Sequence, residues 1–76
     1  MPLWRLILWD DNNAYFRVVA VIALTLNISL KMADNIVHVA HTQGRSVAAS
    51  GLPLERAEFY AEILSRRGLT VSLEQE

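Results

Sequence analysis

The sequence predicts a single compact α+β domain of 76 residues, in which a three-stranded sheet carries three helices on one face. Three observations lead to this fold class. A short apolar run followed by a turn cluster lies near the start of the chain, an alternating run lies near its end, and stretches with the helical period lie between them. No linker, repeat or low-complexity segment divides the chain, and its length suffices for one core. We therefore expect residues 1–76 to fold as one domain in the order β-α-α-β-α-β.

The first strand and the first helix are separated by a cluster of Asp and Asn residues. Residues 3–9 are bulky and apolar, and the cluster at residues 10–13 is typical of a turn after a strand. A side-chain oxygen of Asn12 or Asn13 can accept a hydrogen bond from the first turn of a helix. We therefore predict a helix from about residue 14 to 26, capped by this cluster.

A second helix and a short strand follow a break at residues 27–29. Ser29 is expected to cap this helix with its hydroxyl, and Gly44 is expected to end it. Apolar residues recur between them at helical spacing: Leu30, Ala33, Ile36, Val37 and Ala40. Residues 45–50 form a weaker strand candidate before the turn signal at 51–53.

The third helix and the last strand complete the layout. Pro53 suits the first turn of a helix, and Gly68 is a natural terminator. Glu55 near the start and Arg66-Arg67 near the end both complement the helix dipole. Residues 69–73 alternate between apolar and polar, which predicts a strand with one buried face. How the outer strands pair stays open.

Composition and charge exclude several classes of function. The chain has no cysteine, which removes thiol chemistry, thiolate metal sites and a disulfide framework. With a net charge of −1 and a single lysine, Lys31, no basic surface for nucleic acid is expected. The longest apolar run, residues 18–26, is far shorter than the ~20 residues of a membrane span. The first residues do not resemble a signal peptide. We expect no nucleic-acid partner and no membrane association.

The first polar feature is the cluster Asp10-Asp11-Asn12-Asn13. A turn and a helix cap explain most of it without any function, but two carboxylates exceed what capping requires. Adjacent residues at a strand end usually point to opposite faces, so a catalytic pair of Asp10 and Asp11 is not expected. The three glycines are isolated, and no serine lies in a nucleophile motif. The sequence therefore does not predict an enzyme.

The second polar feature is the pair His38 and His41 in the second helix. These histidines share a face, but zinc-binding pairs on helices are usually four residues apart, and no third ligand is evident. A histidine near the C-terminus of a helix interacts favourably with the helix dipole, and this role alone explains the presence of His41. We expect no metal and no cofactor. A metal-dependent enzyme built on both histidines with Asp10 or Asp11 is the weakest functional alternative.

Several segments resemble the ClpS family of Clp protease adaptors. Residues 4–12, Trp-Arg-Leu-Ile-Leu-Trp-Asp-Asp-Asn, are similar to the family's opening strand and its Asn-Asp-Asp. The run His41-Thr42-Gln43-Gly44-Arg45 resembles a family segment in which a histidine precedes a glycine and a basic residue. Residues 54–58 and 68–74 resemble the start of the third helix and the final strand. The order of these segments agrees with the layout predicted from periodicity.

The resemblance implies an adaptor rather than an enzyme. ClpS proteins bind the bulky N-terminal residue of a substrate, an N-degron, and deliver it to the N-domain of a ClpA- or ClpC-type AAA+ unfoldase. It also implies the bacterial cytoplasm or the plastid stroma. By family position, the acceptors for the substrate α-ammonium are Asp10, Asp11, Asn12 and His41. The side-chain pocket is implied at Phe16, Val19, Val37, Ala40 and Leu69, and the unfoldase contact at Glu55.

The sequence departs from the family pattern at several positions. Asp10 stands where Asn is usual, which adds negative charge and removes an amide donor. Ala14-Tyr15-Phe16 replaces the common Thr-Pro-Met, and Val37 is smaller than the Met often found there, so we expect a reshaped cavity that takes Leu or aromatic N-termini. Three residues precede Trp4, where relatives usually carry a flexible extension used in delivery. Whether the chain has been shortened or delivers its substrates differently stays open.

The main alternative is a small protein-interaction domain of the same fold without a pocket for N-terminal residues. Core packing explains the apolar residues Val19 and Leu69 as well as a pocket does. Likewise, Glu55 can serve the helix dipole as well as a partner. This alternative predicts no affinity for free N-termini.

Overall fold

The computed structural model describes all 76 residues and contains the predicted elements in the predicted order. They are β1 (Trp4–Trp9), α1 (Tyr15–Leu26), α2 (Leu30–Gln43), β2 (Arg45–Leu52), α3 (Leu54–Arg66) and β3 (Val71–Gln75). None of the three helices has both the length and the apolar character that crossing a membrane requires. The β-α-α-β-α-β layout is thus confirmed.

β1 is the central strand of the sheet, and β2 and β3 pair with it in antiparallel orientation on either side. Its apolar side chains suit the central position, because Leu6, Ile7 and Leu8 are at most 2% exposed. This order settles the pairing that the sequence left open. It also places both ends of β1 beside the turns that connect the other elements.

The two outer strands differ from their predicted bounds. β2 continues past residue 50 to Leu52, because Leu52 still pairs with Trp4 of β1. β3 begins at Val71 rather than at Leu69. The N–H of Leu69 donates to the carbonyl of Leu64 at 3.0 Å, so that residue belongs to the turn that ends α3.

The three helices cover one face of the sheet, as predicted. α2 packs against β2 and β1, α3 packs against β3 and β1, and α1 lies against both other helices. The core between them includes Leu6 and Leu8 from β1, Ile22 from α1 and Leu64 from α3. Full burial of each such side chain contributes roughly 1.5–3 kcal/mol.

A polar network covers the open face of the sheet. Nη1 of Arg45 on β2 lies 2.7 Å from Oε2 of Glu74 on β3, so this ion pair crosses the central strand. The indole N–H of Trp9 donates to Ser72 Oγ at 2.8 Å, and the Arg45 guanidinium lies 5.1 Å from the Trp9 ring centroid. These contacts hold Trp9 at the end of β1.

The helix caps agree with the sequence at α2 but not at α1. The Ser29 hydroxyl accepts from the first turn of α2, and Gly44 ends this helix with a φ of 92°, which only glycine adopts without strain. At α1 the N-cap residue is Ala14, and no side chain accepts from the helix. The predicted cap by Asn12 or Asn13 is therefore wrong. The Asn13 amide instead donates to Asp11 Oδ2 and to the carbonyl of Gly68.

Candidate functional site

A cavity of about 250 Å³ lies where the end of β1, the loop that follows it and the facing sides of α1 and α2 meet. Acidic and amide side chains occupy the loop, and apolar side chains come from the strand and the helices. The cavity is lined by Leu8, Trp9, Asp10, Asp11, Asn12, Asn13, Tyr15, Val18, Val37, Ala40 and His41. No lysine, arginine, serine, threonine or cysteine is among them.

The backbone brings Asp10 and His41 together. The N–H of Asp10 donates to the carbonyl of Gly44 at 2.9 Å, which ties the end of β1 to the end of α2. His41 lies one turn before Gly44, and its Nδ1 is 3.6 Å from Asp10 Oδ1. The two side chains are 65% and 44% exposed, so both remain accessible to a ligand. The site thus has a carboxylate and an imidazole side by side at its mouth.

Asp11 organises the loop. Its Oδ1 accepts from the backbone N–H of Asn13 at 2.9 Å, and its Oδ2 accepts from the Asn13 amide at 2.9 Å. Oδ2 also accepts from the N–H and the hydroxyl of Thr70, at 3.3 and 3.1 Å. Partial burial by itself raises the pKa of Asp11, but these hydrogen bonds outweigh it and hold the pKa below its usual value. Only Oδ1 keeps room for one further donor.

Asn13 and Arg17 extend this network to the end of α3. The Asn13 amide donates to the carbonyl of Gly68 at 2.8 Å, and its own oxygen accepts from Arg17 Nη1 at 3.4 Å. Arg17 also donates to the carbonyl of Arg67. The loop is therefore fixed at both ends, by Gly44 on one side and by the turn from α3 to β3 on the other.

The floor of the cavity is apolar. Leu8, Val18, Val37 and Ala40 are each at most 6% exposed and all line it. A negatively charged rim over an apolar floor suits a ligand that carries a cation next to a hydrophobic group. A fixed acceptor set at the rim can bind such a cation more strongly than neutral acceptors can.

The structure brings six of the predicted site residues together at this cavity. They are Asp10, Asp11, Asn12, Val37, Ala40 and His41. Phe16, Val19 and Leu69 do not line it: Phe16 is 83% exposed on the surface, and the other two are about 5% exposed within the core. Glu55 lies in the first turn of α3 and is exposed.

Five lining residues were not assigned to the binding site from the sequence: Leu8, Trp9, Asn13, Tyr15 and Val18. On α1 the cavity side is formed by Tyr15 and Val18, one position earlier on the helix than the predicted Phe16 and Val19. The side chains of adjacent helical residues point in directions about 100° apart around the helix axis, so a shift by one position moves the site to another face of α1. Tyr15, Val18 and the fully buried Ile22 recur at i, i+3 and i+7, but Phe16, Val19 and Ala23 recur at the same spacing, so the pattern did not distinguish the two faces.

His38 and His41 lie in different surroundings, although they share a face of α2. No group of three or more His, Cys, Asp or Glu side chains converges where it could hold a metal ion. The His38 side chain is exposed and does not line the cavity. Its backbone carbonyl accepts from the Thr42 hydroxyl at 2.9 Å within α2. The two histidines therefore contribute to different surroundings.

We predict that Asp11→Asn destabilises the domain, and that this effect depends on pH. At neutral pH the loss of charged acceptors for Asn13 and Thr70 is expected to cost about 1–3 kcal/mol. For a domain of this size, 1 kcal/mol lowers Tm by roughly 4–8 °C. Because the folded-state pKa of Asp11 is lowered, its contribution is present above the unfolded value and is lost as pH falls through the folded value. Thermal unfolding of both proteins at pH 7 and near pH 2 measures this.

The difference in Tm between the wild type and Asp11→Asn is expected to shrink at the acidic pH. The matched control is Asp10→Asn, since Asp10 accepts no hydrogen bond from the loop, and its Tm difference should be small at both values. An Asp11→Asn protein as stable as the wild type at pH 7 would contradict the structural role of this carboxylate.

Comparisons with known proteins add two findings. The family model described as "ATP-dependent Clp protease adaptor protein ClpS" matches residues 1–72. Among solved structures, the chain is similar to Agrobacterium tumefaciens ClpS2, whose structure is bound to L-phenylalaninamide, with a TM-score of 0.87 and 21% sequence identity. That alignment covers 99% of this chain and 98% of the other. No curated protein matches the chain.

Proposed function

This chain belongs to the ClpS family of ATP-dependent Clp protease adaptors, and we propose that it binds bulky hydrophobic N-terminal residues of proteins through the cavity at the end of β1. The observation that carries this proposal is the pairing of Asp10 and His41 at 3.6 Å above an apolar floor. A substrate N-terminus presents an ammonium group and a side chain on neighbouring atoms. The acidic rim suits the ammonium group, and the apolar floor suits the side chain.

The rim residues differ in how many hydrogen-bond acceptor positions they can offer to the substrate ammonium. Asp10 accepts no hydrogen bond from another side chain, so both of its oxygens are available to the three N–H donors of an α-ammonium. His41 offers a second acceptor when its ring is neutral, and Asn12 is exposed beside them. Asp11 supplies negative charge and one remaining acceptor position on Oδ1. An acetylated N-terminus has no charge and a single donor, so we expect it to be rejected.

The hydrophobic side chain is proposed to enter toward Val18, Val37 and Ala40. Burial of one Leu or Phe side chain from water contributes roughly 1.5–3 kcal/mol. The lining holds no serine, threonine, cysteine or lysine, and we propose that no bond is made or broken here. The solved structure of Agrobacterium tumefaciens ClpS2 with L-phenylalaninamide supports a ligand of this chemistry, since that molecule carries a free amine and a benzyl group.

The test of this proposal is fluorescence anisotropy with labelled peptides that begin with Leu, Phe, Tyr or Trp. The matched controls are the same peptides with acetylated N-termini and a peptide that begins with Ala. We expect a Kd of about 1 μM or tighter, which corresponds to about −8.2 kcal/mol, and only for a free amine with a bulky residue. Equal affinity for all peptides would leave the alternative of an interaction domain without this pocket.

Delivery to the N-domain of a ClpA- or ClpC-type unfoldase is the second half of the proposed function. Glu55 is an exposed acid in the first turn of α3, away from the cavity lining, so a partner could contact it while the cavity holds a substrate. We propose the bacterial cytoplasm or the plastid stroma as the compartment, because the resemblance to ClpS adaptors implies one of the two.

We predict that Glu55→Lys weakens binding to the unfoldase N-domain about tenfold, because the substitution reverses the charge at the contact. Affinity for peptides should not change. The control is Glu62→Lys, seven residues and roughly 10 Å further along the same helix. Titration of each variant into the isolated N-domain measures the effect, and equal affinity of both variants and the wild type would remove Glu55 from the contact.

A further inference from the structure

Tyr15 occupies a special position in the cavity, because it is anchored to α2 although it belongs to α1. Its hydroxyl donates to Asp34 Oδ1 at 2.8 Å and lies 3.3 Å from the Asp34 carbonyl oxygen. Its ring meets the His41 ring edge to face, with 6.1 Å between the centroids. The side chain therefore has one contact near the start of α2 and another near its end.

These two contacts place the Tyr15 ring along the cavity side of α2. Asp34 and His41 are seven residues apart, which is two helical turns and roughly 10 Å, and they lie on the same face. Val37 is positioned between them on this face, where it lines the cavity. A ring that reaches from His41 toward Asp34 must pass this segment of the helix. It therefore forms a side wall of the space into which a substrate side chain would enter.

The Tyr15 wall is held in place rather than free to move. The hydroxyl is fixed by Asp34, and the Phe16 ring lies edge-on at 5.7 Å between centroids. The hydrogen bond to Asp34, burial and the negative charge of that carboxylate all raise the pKa of Tyr15 above its ordinary value, at which the phenol is already a donor at neutral pH. A fixed wall discriminates between ligands by size, whereas a wall that can swing away adapts to larger ones.

We propose that Tyr15, positioned by Asp34, sets the width of the side-chain pocket and so limits which N-terminal residues this chain accepts. The inference rests on the proposed function of the cavity. Its consequence is a preference for Leu and Phe over Trp at the N-terminus. Asp34 is a positioning residue here, since it does not line the cavity and acts through the Tyr15 hydroxyl.

The test compares the affinities for Leu-first, Phe-first and Trp-first peptides among three variants. Tyr15→Ala removes the wall, and we expect the ratio of Trp to Leu affinity to rise about tenfold, at the lower end of the discrimination that an apolar pocket gives. Tyr15→Phe keeps the ring but removes the anchor, and Asp34→Ala removes the anchor from the other side. Each of these is expected to raise the ratio about threefold.

Coupling between the two residues distinguishes positioning from a general structural effect. The double variant Tyr15→Phe with Asp34→Ala should show the same ratio as either single variant, because the same hydrogen bond is lost in each. Ultraviolet titration gives a second readout: Asp34→Ala should bring the pKa of Tyr15 down toward its ordinary value. The control is Tyr60→Phe, which removes the only other tyrosine hydroxyl and should leave the ratio unchanged.

The outcomes separate this inference from the proposed function. If the wild type binds none of the free-amine peptides, the proposed function fails. If the wild type binds them but the Trp to Leu ratio stays constant across Tyr15→Ala, Tyr15→Phe and Asp34→Ala, the role of Tyr15 is overturned. Additive effects in the double variant would overturn the positioning role of Asp34.

Discussion

Replacement of Asp10 by Ala is expected to lower the affinity for a Phe-first peptide about thirtyfold. Loss of one partner from a hydrogen-bonded charge pair costs 2–5 kcal/mol. Because the Asp10 side chain is 44% exposed and partly screened by water, the lower end of this range, about 2 kcal/mol, applies. Asp11 cannot replace it, since Asn13 and Thr70 already occupy most of its acceptor positions. Anisotropy titration of both proteins measures the change.

The controls for Asp10→Ala isolate the ammonium contact. Asp10→Asn keeps one oxygen acceptor without the charge, so its affinity should lie between those of the wild type and Asp10→Ala. Glu62→Ala removes an exposed carboxylate that pairs with Arg66 on α3, and it should bind as the wild type does. An Asp10→Ala protein with the affinity of the wild type would show that the ammonium is held elsewhere.

Replacement of Ala40 by Leu is expected to abolish most peptide binding while the fold persists. Ala40 is 3% exposed and lines the cavity, so a larger side chain here can grow into space that the substrate would occupy. We expect affinity to fall at least about tenfold, which is the effect of a lost fit for one apolar side chain. The Tm should change little, because an empty cavity accepts added methylene groups without displacing its neighbours.

Ala33→Leu is the matched control for this substitution. Ala33 lies on the same helix, is fully buried, and does not line the cavity. Added volume there overpacks the core, which typically costs 1–3 kcal/mol, so the Tm should fall clearly. If Ala40→Leu destabilised the domain as much as Ala33→Leu and left the remaining folded protein able to bind, Ala40 would be a core residue and not a pocket residue.

The fold could be predicted from the sequence because its signals are local. Ser29 and Gly44 bound α2 as expected, and the alternation after Gly68 indicated the last strand even though Leu69 belongs to the preceding turn. Strand pairing could not be predicted, because short strands give no local signal for their neighbours in a three-stranded sheet. Because β1 pairs with both β2 and β3, its end lies between the ends of α2 and α3.

The candidate site was predicted in part, and the limits have physical causes. Asp10 and His41 were expected at one site from family position, and the structure places them together. On α1 nearly every residue is apolar, so periodicity did not show which face meets the cavity, and Phe16 was expected where Tyr15 lies. The Asp11 contact to Thr70 spans 59 residues, and no pattern within the sequence indicates it.

Binding of a free N-terminus at this cavity is tested most directly by a nuclear magnetic resonance titration of the isotope-labelled protein with L-phenylalaninamide. The control ligand is N-acetyl-L-phenylalaninamide, which has the same side chain without the ammonium. We expect saturable shifts of the backbone signals of Asp10, Asn12, Ala40 and His41 with the free amine, and no saturable shift with the acetylated ligand. Shifts that cluster at another surface, or that are the same for both ligands, would show that this cavity does not bind free N-termini.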